Sequence, residues 1–306
     1  MASMGVNVAI IENGKVLLTQ REDFEFWVLP GGGVEAGETL AQAARREAQE
    51  ETGLEVELTR LVGFYYRPSK PPWGGHVALF AARPVGGRLQ PQPSEVAAEA
   101  FFAPDEIPSD HMPWMPRRIQ NALDGVGGSL AWRLDRLWPF AAGLTNTDVY
   151  AFRDRSELSR AEFYRQQVAQ PGAVGDIREI PNDGQEARLL MDSAVKSQSH
   201  FSDPVLAVNV AVIQDGQVLL MQREDYEIWG LPGGMVEEDE SLAEAARREV
   251  LEETGLEVEL TRLVGVYSDV NLFHCGVHGI LFAGRVVGGE LRVDLVDDGI
   301  RGGAVV

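Results

Sequence analysis

The sequence predicts two copies of one α+β unit, each a mixed or antiparallel sheet with helices packed on it. Three observations carry this reading. The stretch Glu50–Gly63, EETGLEVELTRLVG, recurs unchanged at Glu252–Gly265, an offset of 202 residues. Longer segments match around it in the same register: VNVAIIENGKVLLTQREDFEFWVLPGG from Val6 against VNVAVIQDGQVLLMQREDYEIWGLPGG from Val208, and LFAARPVGGRL from Leu79 against LFAGRVVGGEL from Leu281. Within each copy, patterns of strand period give way to one of helical period and back again.

The elements follow in order. Val6–Ile11 alternates and is β-branched, and Asn13-Gly14 turns it into a second strand over Lys15–Gln20; Asp215-Gly216 does the same in the second copy. Thr39–Thr52 reads as a helix. Thr39 with Gln42, and Ser241 with Glu244, have capping-box spacing, and Gly53 and Gly255 stand where a left-handed C-cap belongs. Strands are expected over 55–62, 76–83 and, in the first copy, 97–102, with a closing helix over Arg117–Leu123. The domain boundaries expected are 1–126, an intervening segment 127–201, and 202–306. The intervening segment is too rich in Leu, Trp, Phe and Tyr for a plain flexible linker, and Ser156–Ala169 reads as a helix within it. The second copy stops soon after its double-glycine turn. It is therefore expected to lack the final strand, with the counterparts of Phe101 and Phe102, and the closing helix.

Composition narrows the function classes. The 306 residues carry 47 acidic and 27 basic side chains, a net charge of −20. Such a surface repels a phosphate backbone, so nucleic acid and an anionic membrane are not expected partners. A small phosphate-bearing substrate would need local cations at its site. The single cysteine, Cys275, allows no intrachain disulfide and reads as inert. No apolar run reaches about 18 residues, and the N-terminal residues lack a charged region followed by an apolar one. A soluble cytoplasmic protein is expected.

The helix carries the chemistry. Leu40, Ala43 and Ala44 start an apolar stripe, and its next turn brings Glu47, Glu50 and Glu51; Leu242, Ala245 and Ala246 lead likewise to Glu249, Glu252 and Glu253. Three crowded carboxylates repel one another and are costly to desolvate. A hard divalent cation neutralises them, and Mg²⁺ suits a site whose substrate supplies phosphate oxygens. A single such helix would more often be an ordinary exposed acidic face; the same arrangement twice, behind the same glycine turn, favours the ion. The turns Gly31-Gly32-Gly33 and Gly233-Gly234 allow close backbone approach and present amides, at a helix N-terminus, to an anion.

These residues resemble the Nudix family. Gly32, Glu38, Arg46-Glu47, Glu50-Glu51, Gly53 and Leu54 meet the fixed positions of its signature, and Gly234, Glu240, Arg248-Glu249, Glu252-Glu253, Gly255 and Leu256 meet them again. The flanking Trp27–Gly32 and Trp229–Gly234, WxLPGG, are similar to MutT-like members. The resemblance implies an α/β/α sandwich around a mixed sheet, and hydrolysis of a nucleoside diphosphate linked to another group with Mg²⁺ or Mn²⁺. It implies metal binding by Glu47, Glu50, Glu51, Glu249, Glu252 and Glu253. Glu38 with Arg46, and Glu240 with Arg248, would orient the loop on the helix. The proton acceptor lies within the box, among Glu50, Glu51, Glu252 and Glu253, or on a later loop, where Glu95 is the best candidate and Asp297 its partner at the 202 offset. Arg21 and Arg223 end a strand just before the glycine turn and can meet phosphate, as can the amides of Gly31, Gly32, Gly233 and Gly234. Trp27 and Trp229 read as core, Tyr65, Tyr66 and Tyr267 as strand packing, and His76 and His278 as strand-facing structural residues. The small-molecule nucleotide is the expected partner. The alternatives are a metabolite-binding regulator with one or both units silent, and a second copy that serves as a packing or dimerisation partner in a homodimer.

Overall fold

The computed structural model describes residues 4–22, 26–67, 75–111 apart from 94, 115–127, 130–134, 146–159, 162–163, 177–178, 205–223, 226–237, 240–269, 276–292 and 300–305. Residues 133–177 and 195–306 make one compact unit, and residues 3–132 with 178–194 the other.

In the N-terminal repeat, β1 (Met4–Glu12) turns through Asn13 and Gly14 into β2 (Lys15–Arg21). Both turn residues have positive φ, 50° and 75°, as a two-residue type I′ turn demands. Next come β3 (Trp27–Val28), α1 (Leu40–Thr52), β4 (Leu54–Arg67), β5 (Gly75–Gly87), β6 (Val96–Phe102) and α2 (Met115–Leu123). The strand order is β3-β2-β1-β5-β4, with β6 along β2. The sheet is mixed: β1 runs parallel to β5, whereas β4–β5 and β2–β6 are antiparallel. Thr39 and Gln42 form the capping box, and Gly53 closes α1 in the left-handed region at φ 70°.

The two faces of this sheet are covered differently. Ala9, Val16, Leu18, Leu79 and Ala81 pack with Met115, Ile119 and Ala122 of α2. Tyr65 joins this core, and its hydroxyl accepts a hydrogen bond from Asn121 of α2 at 2.7 Å. The alternate residues Val8, Ile10, Leu17 and Phe80 are also sealed from solvent and belong to the opposite face. There α1 packs on β1 and β4. The result is the helix–sheet–helix layering that the resemblance implies.

Three elements from the intervening segment are described: β7 (Leu130–Leu134), α3 (Asn146–Asp154) and β8 (Ile177–Arg178). The helix expected at Ser156–Ala169 lies largely outside the described residues. The helix that is seen, α3, sets Tyr150 edge-on to Tyr226 at 5.9 Å, with Arg153 over the Tyr150 ring at 4.7 Å.

The C-terminal repeat follows with β9 (Val205–Gln214), β10 (Gln217–Arg223), β11 (Trp229–Gly230), β12 (Gly233–Met235), α4 (Leu242–Thr254), β13 (Leu256–Asp269), β14 (Val277–Gly289) and β15 (Ile300–Val305). Its strand order is β11-β10-β9-β14-β13-β7-β8, with β12 on β9 and β15 on β10. Ser241 and Glu244 cap α4, and Gly255 ends it at φ 73°.

The expected truncation is corrected here. β15 lies antiparallel on β10, pairing Leu219 with Val305 and Arg223 with Ile300, just as β6 pairs Leu17 with Phe101 and Arg21 with Val96. The final strand is present, displaced by two residues from the constant offset, so Val305 stands where Phe101 stands. Among the described residues no helix follows β15. Val218, Leu220, Leu231 and Leu281 are half-buried, whereas their counterparts Val16, Leu18, Leu29 and Leu79 are sealed beneath α2. Trp229, expected as core, is 49% exposed. Its counterpart Trp27 is half-buried and packs edge-on against Phe102 at 4.9 Å. His76 and His278 are buried, as expected of strand-facing residues, and Cys275 and Asp297 lie outside the described residues.

Ile119→Ala removes a sealed side chain between α2 and the sheet and should cost the N-terminal repeat about 2–5 kcal/mol. Native-state hydrogen exchange of amides in β1 and β2 checks this; unchanged protection there would contradict the role given to α2.

Candidate active site

The site is built where the glycine turn meets the helix. Gly31 has φ 150°, and a Cβ there would collide with the Val6 carbonyl. A Cβ on Gly32 would lie 2.6 Å from Glu47 Oε1, so only glycine lets the turn lie against that carboxylate. Gly233 and Gly234 meet the same constraints, the latter against Glu249 at 2.6 Å.

Arg46 ties the loop to the helix. Its Nε and Nη2 donate to both oxygens of Glu38 at 3.1 and 2.6 Å, Nη1 to Glu47 at 2.7 Å and to Glu50 at 3.2 Å, and Nη2 also to the Gly33 carbonyl at 2.9 Å. Glu38 in turn accepts the Glu35 amide at 2.6 Å. The second repeat reproduces this tie. Arg248 donates to Glu240 at 3.0 and 2.5 Å, to Glu249 at 2.8 Å, to Glu252 at 3.1 Å and to the Met235 carbonyl at 3.2 Å. Burial opposes ionisation of Glu240, but the Arg248 hydrogen bonds, the Glu237 amide and the Arg248 charge together outweigh it and hold its carboxyl below the usual range. The pairs Glu38–Arg46 and Glu240–Arg248 are thus each doubly hydrogen-bonded.

The three helix carboxylates are not equivalent. Glu51 is 7% exposed, and its Oε2 accepts the Gly31 amide at 3.0 Å; Glu253 accepts the Gly233 amide at 2.7 Å. Those two amides, expected to face an anion of the substrate, are engaged by the protein's own carboxylates. The Glu47 side chain is largely covered, whereas that of Glu50 is 53% exposed. Glu252 matches Glu50 in exposure. Burial pushes the Glu51 carboxyl up to about 8, opposed by the Gly31 amide and reinforced by the charges of Glu47 and Glu95. Burial likewise raises Glu47 and Glu249, against the pull of Arg46 and Arg248.

Glu95 and Arg21 join the N-terminal cluster through the backbone. The Glu95 carbonyl accepts the Glu22 amide at 3.0 Å, and the Gln92 amide donates to the Glu51 carbonyl at 3.3 Å. The loop before β6 is thus fixed to the ends of both β2 and α1. Arg21 opposes the rise of the Glu51 pKa, so its positive charge acts within the same cluster. In the C-terminal repeat Arg223 ends β10 and is exposed. Strand pairing sets Ile300 in the place of Val96, and the residues just before Ile300, Asp297 among them, lie outside the described residues.

Among the described residues, no three His, Cys, Asp or Glu side chains already converge at ligand spacing. The chemistry of the cluster nonetheless fits a hard divalent cation: its donors are all carboxylate oxygens, and at Glu51 burial with the charges of Glu47 and Glu95 outweighs the Gly31 amide and Arg21. Two further polar residues were not singled out from sequence. Asn7 is buried and accepts a hydrogen bond from Arg118 Nη1 at 2.5 Å. Glu99, in the middle of β6, has both carboxyl oxygens sealed from solvent. Its one signal in the sequence is a lone acid within the apolar run Val96–Phe102.

With metal removed, folded Glu51 binds its proton up to about pH 8, well above the ordinary carboxylate value of 4.5. Stability from this group is present at low pH and lost as pH rises through that window, because the folded state binds the extra proton. Thermal midpoints in chelator should therefore fall between pH 5 and 8, and Glu51→Gln should flatten the fall; identical slopes for both proteins would refute this.

Comparison with known proteins agrees with the geometry. The family model of the NUDIX domain matches residues 1–122 and 203–301. The MutT-like protein of Streptomyces ambofaciens is 37% identical over 121 residues, covering 39% of this chain and 75% of that one. The ADP-ribose pyrophosphatase of Methanocaldococcus jannaschii is 34% identical over 125 residues, 37% of this chain and 74% of its own. The human 8-oxo-dGDP phosphatase NUDT18 is 40% identical over 99 residues, 31% of this chain and 29% of its own. Two matched segments, each with its glycine turn, arginine tie and helix carboxylates in place, identify the chain as a member of the Nudix hydrolase family.

Proposed function

We propose that the chain is a divalent-metal-dependent pyrophosphohydrolase that cleaves a nucleoside diphosphate linked to another group, with the N-terminal repeat as its working site. The observation that carries this reading is Glu51: a sealed carboxyl, pushed up to about 8 by burial and by Glu47 and Glu95, in a cluster that calls for positive charge. Glu47, Glu50 and Glu51 would hold Mg²⁺ or Mn²⁺, as would Glu249, Glu252 and Glu253. The ion, when bound, polarises phosphoryl oxygens and acidifies water.

The chain's own groups supply the rest. Arg21 is the local cation that draws phosphate into a molecule of net charge −20. Arg46 fixes Glu47 and Glu50 in orientation and keeps the turn closed on them. A Glu95 carboxylate oxygen accepts the proton of the water that attacks phosphorus. As the new P–O bond forms, the bridging P–O bond breaks, and two phosphorylated products leave. Glu50, exposed beside the cluster, is the alternative acceptor.

The regulatory reading applies better to the C-terminal repeat. Its box is intact, but Gly303 takes the place of Glu99. With Mg²⁺ and a panel of nucleotide substrates, Glu51→Gln should lower turnover by more than about 10²-fold, the scale of a lost metal or base contribution. Glu253→Gln should change it far less. Wild-type turnover in both single variants and in the double would remove the boxes from catalysis.

A further inference from the structure

Glu99 is a group that the hydrolytic mechanism does not use. It lies opposite Thr19 in the β2–β6 pairing, and Ala97, Ala98, Ala100 and Phe101 flank it in β6. Both of its carboxyl oxygens are sealed from solvent, and neither has a hydrogen-bond partner among the described residues. A sealed carboxyl without partners is costly, and a ligand that supplies them removes the penalty. Desolvation pushes the group up to about 7, so the protonated acid is populated near neutral pH.

Its place in the fold points to the ligand. Residues directly opposed in an antiparallel pair share a sheet face, and so do residues i and i+2 of one strand. The register shift between Gln20 and Arg21 leaves Ala97 as the extra residue on β6, so β2 keeps its alternation. Thr19 and Arg21 therefore share a face, and Glu99 shares it with Thr19. Arg21, whose charge acts on Glu51, stands about 7 Å along the strand from Thr19. A diphosphate held at Arg21 and the helix carboxylates can extend its nucleoside along the β2–β6 ladder to Glu99. In the C-terminal repeat the same position is Gly303, opposite Met221.

We propose that Glu99 determines the specificity of the N-terminal repeat, its carboxyl pairing with a nucleobase edge that sets a hydrogen-bond donor beside an acceptor. This rests on the reading of that repeat as a site for nucleotides. A carboxylic acid presents O–H and C=O side by side, as does an amide, whereas leucine fills the space and presents neither. A base left unpaired there loses affinity by about 10²-fold.

The test uses the full chain and titration calorimetry with AMP, GMP, CMP, UMP and ribose 5-phosphate, the last as a probe without a base. The wild type should prefer one nucleotide over ribose 5-phosphate by more than tenfold. Glu99→Leu should cut that preference about 10²-fold and leave ribose 5-phosphate unchanged, while Glu99→Gln should keep it within a few-fold. A Leu variant with the wild-type preference overturns the proposal, as does one that weakens both ligands equally. If the Leu variant does not fold, the Gln variant decides: loss of the preference there also overturns the pairing. Failure of the nucleotide reading itself shows separately, as wild-type protein that binds none of the four nucleotides and whose turnover does not respond to Glu51→Gln.

Discussion

The Arg46 guanidinium, with Arg248 as its twin, is the tie on which each site depends. Carboxylates three and four residues apart on a helix repel one another, and here a glycine turn also presses its backbone against them. One planar cation answers both problems, because its nitrogens reach Glu38, Glu47, Glu50 and the Gly33 carbonyl together. Lysine, a point charge, could neutralise one of these acids but could not hold four acceptors in a fixed relation. Glu51 lies outside the reach of this fork. Its carboxylate accepts the Gly31 amide and feels the charge of Arg21, and burial with Glu47 and Glu95 outweighs both.

Around that tie the scaffold divides its work between the two faces of the sheet. One face carries α1 and the carboxylates. The other, in the N-terminal repeat, is sealed by α2 through Met115, Ile119 and Ala122. The C-terminal repeat preserves the first face closely and the second only in part, as Trp229 and the half-buried Leu220 and Leu281 show. The box geometry survives that difference because the contacts that define it run between turn and helix, away from the α2 side.

Much of this was legible in the sequence, for local reasons. Asn13-Gly14, the Thr39–Gln42 and Ser241–Glu244 boxes, and the caps at Gly53 and Gly255 each fix a few dihedral angles through contacts within four residues. The Glu38–Arg46 and Glu240–Arg248 pairs were carried by the family signature. What was not legible depends on distant chain. Helical spacing set Glu47, Glu50 and Glu51 on one side but could not say that Glu51 would be sealed and Glu50 half-exposed; the glycine turn decides that. β15 was missed because the constant offset fails before it, so a strand of Ile, Gly, Ala and Val did not resemble its counterpart at Val96–Phe102. Glu99 was not singled out, since only the folded pairing shows that its oxygens are closed off.

The two antiparallel ladders β4–β5 and β13–β14 have the same register and the same three irregularities, with Leu54 opposite Gly87 and Leu256 opposite Gly289. Their first strands, β4 and β13, share an unbroken identical stretch, LEVELTRLVG. During folding, each such strand therefore meets two nearly equivalent mates on one polypeptide, its own and that of the other repeat. Exchange between repeats is a known hazard of such duplications. Here the correct choice rests on proximity along the chain: the native mate begins only a short loop away, whereas the wrong one demands closure of a loop many times longer.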